Sequence, residues 1–293
     1  MLGRARKRRV LLTPYYLMFP PQFLIWAVVI FPLVWAIYIS FHDWNPTISP
    51  ERTFVGLWNY INVFRDERFL SALLRMLYYS GVGVTIQLFL GTAIALALVE
   101  YIHSERLRTF LLVLFLLPMM MAEAVAAQMW TLLITDTGTI NNILVWLGLN
   151  PVGWRSRELA LTTLMIVDIW QWTALPLLIA YAARISIPES LYESSRLDGA
   201  SRWLILRKIT LPYMRVPLAI AFLLRFMDSY KFLDKVFIMT YGGPGTATEL
   251  PTFYLYQTAF SYFKVGYGAA MSWIFGIIAV VGMFFFWRLA KAQ

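Results

Sequence analysis

The sequence contains no cysteine and only two histidines, His42 and His103. The absence of cysteine excludes disulfide scaffolds, thiolate nucleophiles and cysteine-ligated zinc. Two histidines leave little material for a histidine-based metal centre or for acid/base chemistry. The sequence therefore predicts no metal site, no catalytic residue and no cofactor bound by this chain.

Charge is also scarce. Asp, Glu, Lys and Arg make up 14% of the chain, whereas charged residues are about 25% of a typical soluble domain. Hydrophobic residues make up 60% of the chain, against roughly 45–50% in such a domain. Such a chain cannot cover a water-facing surface, so a soluble protein is excluded. The net charge of +9 is better explained by basic loops held against anionic lipid than by binding to nucleic acid. We expect a lipid bilayer as partner and no nucleic acid.

Long apolar segments are what the sequence does contain. A membrane-spanning helix needs about 20 residues, because the hydrocarbon core is roughly 30 Å thick and each residue rises about 1.5 Å. The fold class predicted is an all-α integral membrane protein with six transmembrane helices. Their approximate bounds are residues 15–41, 76–99, 109–135, 159–183, 215–241 and 265–287.

The positions of the basic residues predict the orientation of these spans, since lysine and arginine near the ends of spans are retained on the cytoplasmic side. They concentrate before the first span, between the second and third spans, between the fourth and fifth, and after the sixth. We therefore expect a basic cytoplasmic N-terminus at residues 1–14, a transmembrane domain at 15–288 and a cytoplasmic tail at 289–293. The basic start has the outline of a signal peptide, but its apolar stretch is too long, so an uncleaved first helix is expected.

The cytoplasmic connection at residues 186–212 is predicted to form two short helices. Ser186 and Glu189 have the spacing of a capping box at the start of the first helix. Gly199 can adopt the left-handed conformation that ends this helix, and Pro212 is expected to close the second. A solvated connection lying against lipid is the plain alternative for this segment.

This connection resembles the EAA loop of binding-protein-dependent ABC transporter permeases. The residues that carry the resemblance are Glu193, Ser194, Ser195, Asp198, Gly199, Ala200, Ile209, Leu211 and Pro212. The sequence has two serines where the family usually has two alanines; serine is also small, so close packing should survive. The resemblance implies a coupling loop that docks into a cytoplasmic ATPase.

Other segments resemble the carbohydrate-uptake, maltose-type branch of this type I importer family. They are residues 54–60, Trp170 and Trp172 before Pro176, residues 240–245, and Tyr256 with Ala259 and Phe260. One departure is Arg75-Met76, where similar permeases often have Asn-Thr; it marks either a subunit-specific contact or a different substrate.

The resemblance implies a multi-pass permease subunit of an ATP-driven importer in the plasma membrane of a prokaryote. Its expected partners are a second homologous permease, two cytoplasmic ABC ATPases that hold ATP and Mg²⁺, and an extracytoplasmic solute-binding protein. The chain itself is not expected to be an enzyme. The expected substrate is a sugar or sugar-like solute; glycerol phosphate or another polyol is the alternative.

Ionisable residues inside membrane spans are costly and mark candidate functional sites. Arg225, Asp228, Lys231 and Lys235 recur at three- and four-residue steps of the fifth span and so share a broad helical face. They either line a polar path or pair along the helix, with the two lysines reaching to the outer surface.

Two carboxylates are also expected near mid-membrane. Glu123 and Asp168 can be satisfied by a basic residue of the fifth span without any role in transport. Aromatic residues near these charges can either stack on a sugar or simply pack. The candidate translocation path comprises Asp168, Trp170, Trp172, Arg225, Asp228, Tyr230, Lys231 and Phe232.

The outer Gly242-Gly243-Pro244-Gly245 stretch allows tight turns with positive φ. It is read either as a simple turn or, with Tyr256, as a contact for the binding protein. A phosphate-binding loop is disfavoured because no G-x-x-x-x-G-K-[ST] motif is present.

Two other functional classes remain as alternatives. One is a membrane enzyme using Asp168, Glu123 or Asp228, which is disfavoured because these carboxylates are scattered along three predicted helices. The other is a stand-alone secondary transporter or channel.

Overall fold

The computed structural model describes residues 16–291. The predicted N-terminal segment 1–14 and residues 292–293 of the tail lie outside this range. In chain order the described residues form α1 (Tyr16–Ser40), β1 (His42–Asp43), β2 (Thr53–Phe54), α2 (Trp58–Arg65), α3 (Glu67–Tyr101), α4 (Glu105–Met120), α5 (Glu123–Leu133), α6 (Thr139–Trp146), α7 (Ala160–Trp172), α8 (Ala174–Ile185), α9 (Glu189–Leu197), α10 (Arg202–Ser229), α11 (Pro251–Tyr256) and α12 (Val265–Lys291). Short π-helical stretches lie within α1 (Trp26–Ile30) and α10 (Leu206–Thr210), and two more follow at Val236–Thr240 and Gln257–Ser261.

The helices bear out an all-α, multi-pass membrane protein. Among the described residues, α1, α3, α10 and the first part of α12 are each long and apolar enough to cross a membrane. The pairs α4/α5 and α7/α8 also qualify if each bent pair counts as one span, which gives four to six candidate spans. The number six and the cytoplasmic placement of both termini stay predictions.

The third predicted span, residues 109–135, is wrong as one continuous helix. Helix α4 ends at Met120, and α5 starts at Glu123 with an axis turned by 94°. Pro118 lacks a backbone N–H and its ring crowds the preceding turn, which favours a helix end here. Gln171 of α7 donates from Nε2 to the Met121 carbonyl at 3.0 Å, so the exposed backbone group in the break is satisfied.

The fourth predicted span, residues 159–183, bends by 40° between α7 and α8. Pro176 lies four residues after Trp172 and cannot donate to its carbonyl. Thr173 between the two helices keeps helical dihedral angles, with φ −59° and ψ −25°. The bend is therefore a local kink rather than a reversal of the chain.

The fifth predicted span, residues 215–241, does not coincide with one helix. Helix α10 already begins at Arg202 and ends at Ser229. Residues 230–233 are not helical, and the chain becomes helical again just before Val236–Thr240. Thr252 donates from Oγ1 to the Phe232 carbonyl at 2.6 Å, which satisfies backbone in this second break. The second span also starts earlier than predicted, at Glu67.

The chain divides into two compact units, and the first comprises residues 1–66 and 255–276. Within its described part, β1 pairs antiparallel with β2, His42 opposite Phe54. Asn59 of α2 donates to the carbonyl of His42 at 3.0 Å. The Tyr267 hydroxyl donates to Asp66 Oδ2 at 2.8 Å, so the start of α12 is fixed to the end of α2.

The second unit comprises residues 67–254 and 277–293. It has a core of buried apolar side chains from α3, α8, α9, α10 and the turn before α9: Ala95, Leu98, Leu177, Ala180, Ala183, Ile187, Tyr192, Ile205 and Met214. Helices α3 and α8 approach closely at Gly91, where a Cβ atom would lie 2.6 Å from the backbone nitrogen of Leu177. Glycine at this position lets α3 pack deeply, and Gln87 lies one turn away.

Candidate functional site

The ionisable residues of three spans meet in one buried cluster in the second unit. Arg225 of α10 donates from Nη2 to Asp168 Oδ2 at 2.6 Å and from Nη1 to Asp228 Oδ2 at 2.8 Å. Lys235 places Nζ 2.9 Å from both Asp168 Oδ1 and Glu123 Oε2. The side chains of Arg225, Lys235 and Asp168 are 1%, 0% and 3% exposed. Buried charges of this kind require paired, hydrogen-bonded geometry, which this cluster supplies.

Gln87 of α3 belongs to the same cluster, although the sequence did not single it out. Its Nε2 donates to Asp168 Oδ2 at 2.9 Å, and its Oε1 accepts from Arg225 Nε at 2.9 Å. One amide therefore satisfies both members of the ion pair. One feature of the sequence could have identified Gln87: it is the single amide side chain in the second predicted span, and buried polar side chains need hydrogen-bond partners.

Trp172 connects the cluster to its more exposed rim. Its Nε1 donates to Glu123 Oε1 at 2.7 Å, and its ring lies 4.7 Å from Arg225 Cζ in a cation–π contact. Glu123 is 30% exposed, unlike Asp168. Trp172 thus holds the partly exposed carboxylate of Glu123 through its Nε1–H and packs its ring on the guanidinium of Arg225.

A cavity of about 230 Å³ opens beside this cluster. Its lining residues are Glu123, Asp168, Trp172, Arg225, Asp228, Lys231, Phe232, Leu233 and Asp234. Six of the eight residues predicted for a translocation path are among them. The other two are not: Tyr230 is buried and its ring packs 6.4 Å from that of Phe226, while Trp170 packs edge-on against Trp130 at 5.5 Å.

Trp170 instead lines a separate apolar groove at the break between α4 and α5, together with Pro118 and Met121. The two tryptophans that the sequence treats alike therefore face different surroundings. Only Trp172 lies beside the charges.

The two lysines of the fifth predicted span behave differently. Lys231 is exposed, as the outward-reaching alternative expected. Lys235 is fully buried between two carboxylates, so the alternative that placed it at the outer surface is wrong, and it supplies the basic partner expected for Glu123 and Asp168. The physical reason is the break at residues 230–233, because the four charges do not lie on one continuous helix. The predicted three-residue pairing of Arg225 with Asp228 is formed.

The carboxylates are not scattered in space, contrary to the expectation from their sequence positions. Glu123 and Asp168 share the ammonium of Lys235, and Asp168 and Asp228 share the guanidinium of Arg225. Each carboxylate is thus bound by a cation. Among the described residues, no group of three or more His, Cys, Asp or Glu is placed to hold a metal ion. The arrangement pairs two cations with three carboxylates, which offsets the cost of burying these charges.

The segment at residues 186–212 forms a helix, a turn and a second helix. Gly199 has φ +77°, and its N–H donates to the Arg196 carbonyl while that of Ala200 donates to the Ser195 carbonyl, at 3.1 and 3.0 Å. These two bonds are the Schellman motif that ends α9. Ser201 then caps α10 by accepting from the Leu204 N–H.

Two predicted details of this segment are wrong. The capping box does not form, because Pro188 occupies the cap position and Ser186 Oγ donates backward to the Ala183 carbonyl at 2.7 Å. Pro212 does not close the second helix, which continues to Ser229. The π-helical stretch just before it, in which the Leu211 N–H bonds to the Leu206 carbonyl, lets the helix accommodate a proline.

Most of the residues predicted for coupling lie at the surface. Those exposed are Glu193, Ser194, Asp198, Gly199, Leu211 and Pro212, and those partly buried are Ser195, Ala200 and Ile209. Ser195 Oγ donates to the Leu191 carbonyl at 2.7 Å, so its hydroxyl is satisfied within α9. The turn thus presents a continuous exposed edge.

The glycine-rich stretch at residues 242–245 is a tight turn, as predicted. Gly242 and Gly245 have φ +81° and +61°. Thr248 closes the turn, donating from its backbone N–H to the Gly242 carbonyl at 3.2 Å and from Oγ1 to the Gly243 carbonyl at 2.9 Å. Pro244 lies exposed at the tip. Tyr256, predicted to act with this turn, belongs to the other unit, where its ring packs against Phe260.

The segment after this turn is fixed to α3 by two arginines. Arg75 donates from Nε to the Glu249 carbonyl at 2.9 Å, and Arg68 donates from Nε to Glu249 Oε1 at 2.8 Å. The Glu249 side chain is 2% exposed. Arg75, which departs from the family's usual asparagine, therefore holds backbone within this subunit.

The chain is 32% identical to a probable ABC transporter permease, y4oQ, of Sinorhizobium fredii, covering 98% of this chain and 93% of that one. It is 32% identical to the trehalose/maltose transport system permease MalF of Thermococcus litoralis, covering 86% and 83%.

Two solved structures share the fold. A bacterial ABC transporter involved in the import of the acidic polysaccharide alginate gives a TM-score of 0.85 at 22% identity, covering 99% of this chain and 98% of that one. The alginate transporter in complex with an alginate pentasaccharide-bound periplasmic protein gives 0.82 at 21%, covering 98% and 96%.

Residues 87–293 match the family described as the binding-protein-dependent transport system inner membrane component. The matched range contains the whole charge cluster, the cavity and the segment at residues 186–212. The chain belongs to the binding-protein-dependent transport system inner membrane component family and is a permease component rather than an enzyme.

Proposed function

We propose that this chain is a membrane-spanning subunit of an ATP-driven importer that moves a sugar or sugar-like solute delivered by an extracytoplasmic binding protein. The observation that carries the proposal is the cavity of about 230 Å³, lined by charged and aromatic side chains, in a chain of this permease family. The relative named for trehalose and maltose, and the alginate importer seen with a pentasaccharide-bound periplasmic protein, support a carbohydrate substrate.

The chemistry of the cavity fits a solute rich in hydroxyl groups. Trp172 and Phe232 offer apolar ring surfaces, while Asp228, Lys231 and Asp234 offer acceptors and a donor. Arg225 and Asp168 bind one another, so they shape the wall of the cavity. Solute would meet the wall and rim of this cavity while the buried ion pairs hold the helices in place.

Energy enters through partners. In this proposal the exposed edge at Glu193 to Gly199 docks on one of two cytoplasmic ATPases, which bind ATP and Mg²⁺, while this chain binds no cofactor. A second, homologous permease completes the path. ATP-driven closure of the ATPases moves the docked loop, and rigid-body rotation of the helices opens the path alternately to each side of a prokaryotic plasma membrane.

The test is reconstitution of the complex, comprising this chain, a second permease, the ATPases and the binding protein, in lipid vesicles. We expect ATP-dependent uptake of a sugar from a panel that also holds glycerol phosphate and other polyols. Replacing Glu193 and Gly199 together should abolish solute-stimulated ATP hydrolysis. Uptake by this chain alone without ATP would overturn the importer proposal, and uptake of glycerol phosphate but no sugar would overturn its substrate class.

A further inference from the structure

Helix α9, which carries the exposed edge, packs on the core of the second unit through the buried Tyr192 and the partly buried Leu191. Within α9, all of which the structure describes, Tyr192 is the one fully buried residue, at 2% exposure. Its neighbours Glu193, Arg196 and Leu197 are exposed. Tyr192 is therefore the most deeply buried contact between α9 and this core.

Arg184, near the end of α8, lies against this ring. Its Cζ is 3.9 Å from the ring centroid of Tyr192, and the residue is 5% exposed. In the part of the chain that the structure describes, no carboxylate forms an ion pair with Arg184, and its Nε has no hydrogen-bond partner. The aromatic face is thus the close partner of this buried cation, and cation–π contacts are strongest when desolvated.

The other end of the Tyr192 side chain contacts α10. The Tyr192 hydroxyl lies 3.1 Å from Thr210 Oγ1, and Thr210 is 1% exposed. Thr210 belongs to the π-helical stretch of α10, whose wider turns are a common site of local adjustment. Tyr192 therefore touches α8 through its ring and α10 through its hydroxyl.

These two helices lead to opposite partners of the buried ion pair. Helix α8 continues from α7, which carries Asp168, and α10 carries Arg225. We infer that Tyr192 and Arg184 are positioning residues that transmit a displacement of α9 to the two helices joined by the Arg225–Asp168 pair. The inference rests on the proposed function and assigns the transmission to a residue pair outside the exposed edge.

The test measures solute moved per ATP hydrolysed in the reconstituted complex. Tyr192→Leu is expected to keep assembly and ATP hydrolysis but to lower this ratio by about 5- to 150-fold, the range of ordinary coupling energies. Tyr192→Phe keeps the ring contact with Arg184 but removes the hydroxyl contact with Thr210, so its ratio should lie between those of the unmodified complex and Tyr192→Leu. Arg184→Gln should lower the ratio through loss of the ring contact alone, and combining it with Tyr192→Leu should add little to Tyr192→Leu, because that variant already lacks the ring contact.

Tyr213→Leu is the matched control. Tyr213 is a tyrosine of α10 close to Thr210 but 57% exposed, so its replacement should leave the ratio unchanged. An unchanged ratio in both Tyr192→Leu and Arg184→Gln would overturn the inference. So would a parallel loss of ATP hydrolysis, transport and assembly in both, since that shows a purely structural role.

If the Tyr192→Leu complex fails to assemble, the inference is tested with Arg184→Gln alone, by the solute moved per ATP hydrolysed. Failure of the proposed function looks different, because the unmodified complex would then move no solute with ATP.

Discussion

The guanidinium of Arg225 lies 2.6 Å from Oδ2 of Asp168, and the two side chains are 1% and 3% exposed. The pair joins α10 to α7 in the interior of the second unit. Gln87 hydrogen-bonds both members, and Lys235 binds the second oxygen of Asp168. Because the charges are desolvated together, loss of one member leaves the others uncompensated.

Arg225→Met is expected to destabilise the protein by about 3–5 kcal/mol, because it leaves Asp168 buried next to Gln87 with one cation fewer. The measurement is the thermal unfolding midpoint of the purified protein in detergent. Lys231→Met is the matched control, since Lys231 is exposed. Adding Asp168→Asn to Arg225→Met should restore part of the loss. A midpoint that falls no further than in the control would contradict the role of the ion pair.

Replacing each of the two tryptophans of α7 should have different effects, because only Trp172 lines the charged cavity. Trp172→Leu removes the donor to Glu123 and a wall of the charged cavity, so ATP-dependent uptake should fall about tenfold or more, a change of roughly 1.4 kcal/mol. Trp170→Leu removes packing against Trp130 and should lower the unfolding midpoint more than it lowers uptake. Equal losses of uptake in both variants at equal protein levels would argue against the cavity as the solute path.

Gly199→Ala should weaken the turn that ends α9. A Cβ atom at Gly199 has open space around it, but φ is +77°, which costs a non-glycine residue about 1–2 kcal/mol. We expect lower solute-stimulated ATP hydrolysis with normal protein levels in the membrane. Gly199→Asn should be milder, since asparagine tolerates this conformation. If alanine and asparagine act alike, backbone strain is not the cause.

Gln171→Leu should destabilise the break between α4 and α5. The Met121 carbonyl would lose its donor, at a cost of about 1–3 kcal/mol. The thermal unfolding midpoint measures this loss. Gln171→Glu is the informative partner variant: it has nearly the same shape but, when ionised, offers no donor, so it should be at least as destabilising as leucine. An unchanged midpoint in Gln171→Leu would show that the break needs no donor there.

Local chemistry allowed several features to be predicted from the sequence. The positive φ of Gly199 and Gly242, and the three-residue pairing of Arg225 with Asp228, depend on a few neighbouring residues. The bounds of the third and fifth spans could not be predicted in this way. Hydropathy reports whether a segment is apolar and carries no information on whether Gln171 or Thr252 satisfies a broken backbone elsewhere.

The sequence by itself determined the class of the protein, because composition excludes a water-facing surface and the motifs around Gly199 identify the permease family. Only the tertiary structure decided how the charges are used. From the sequence, Lys235 could be a surface lysine at the end of a span. In the structure, the chain breaks at residues 230–233 and Lys235 lies buried between Glu123 and Asp168. Charges far apart in sequence are paired by how the helices pack, and desolvation makes that pairing obligatory.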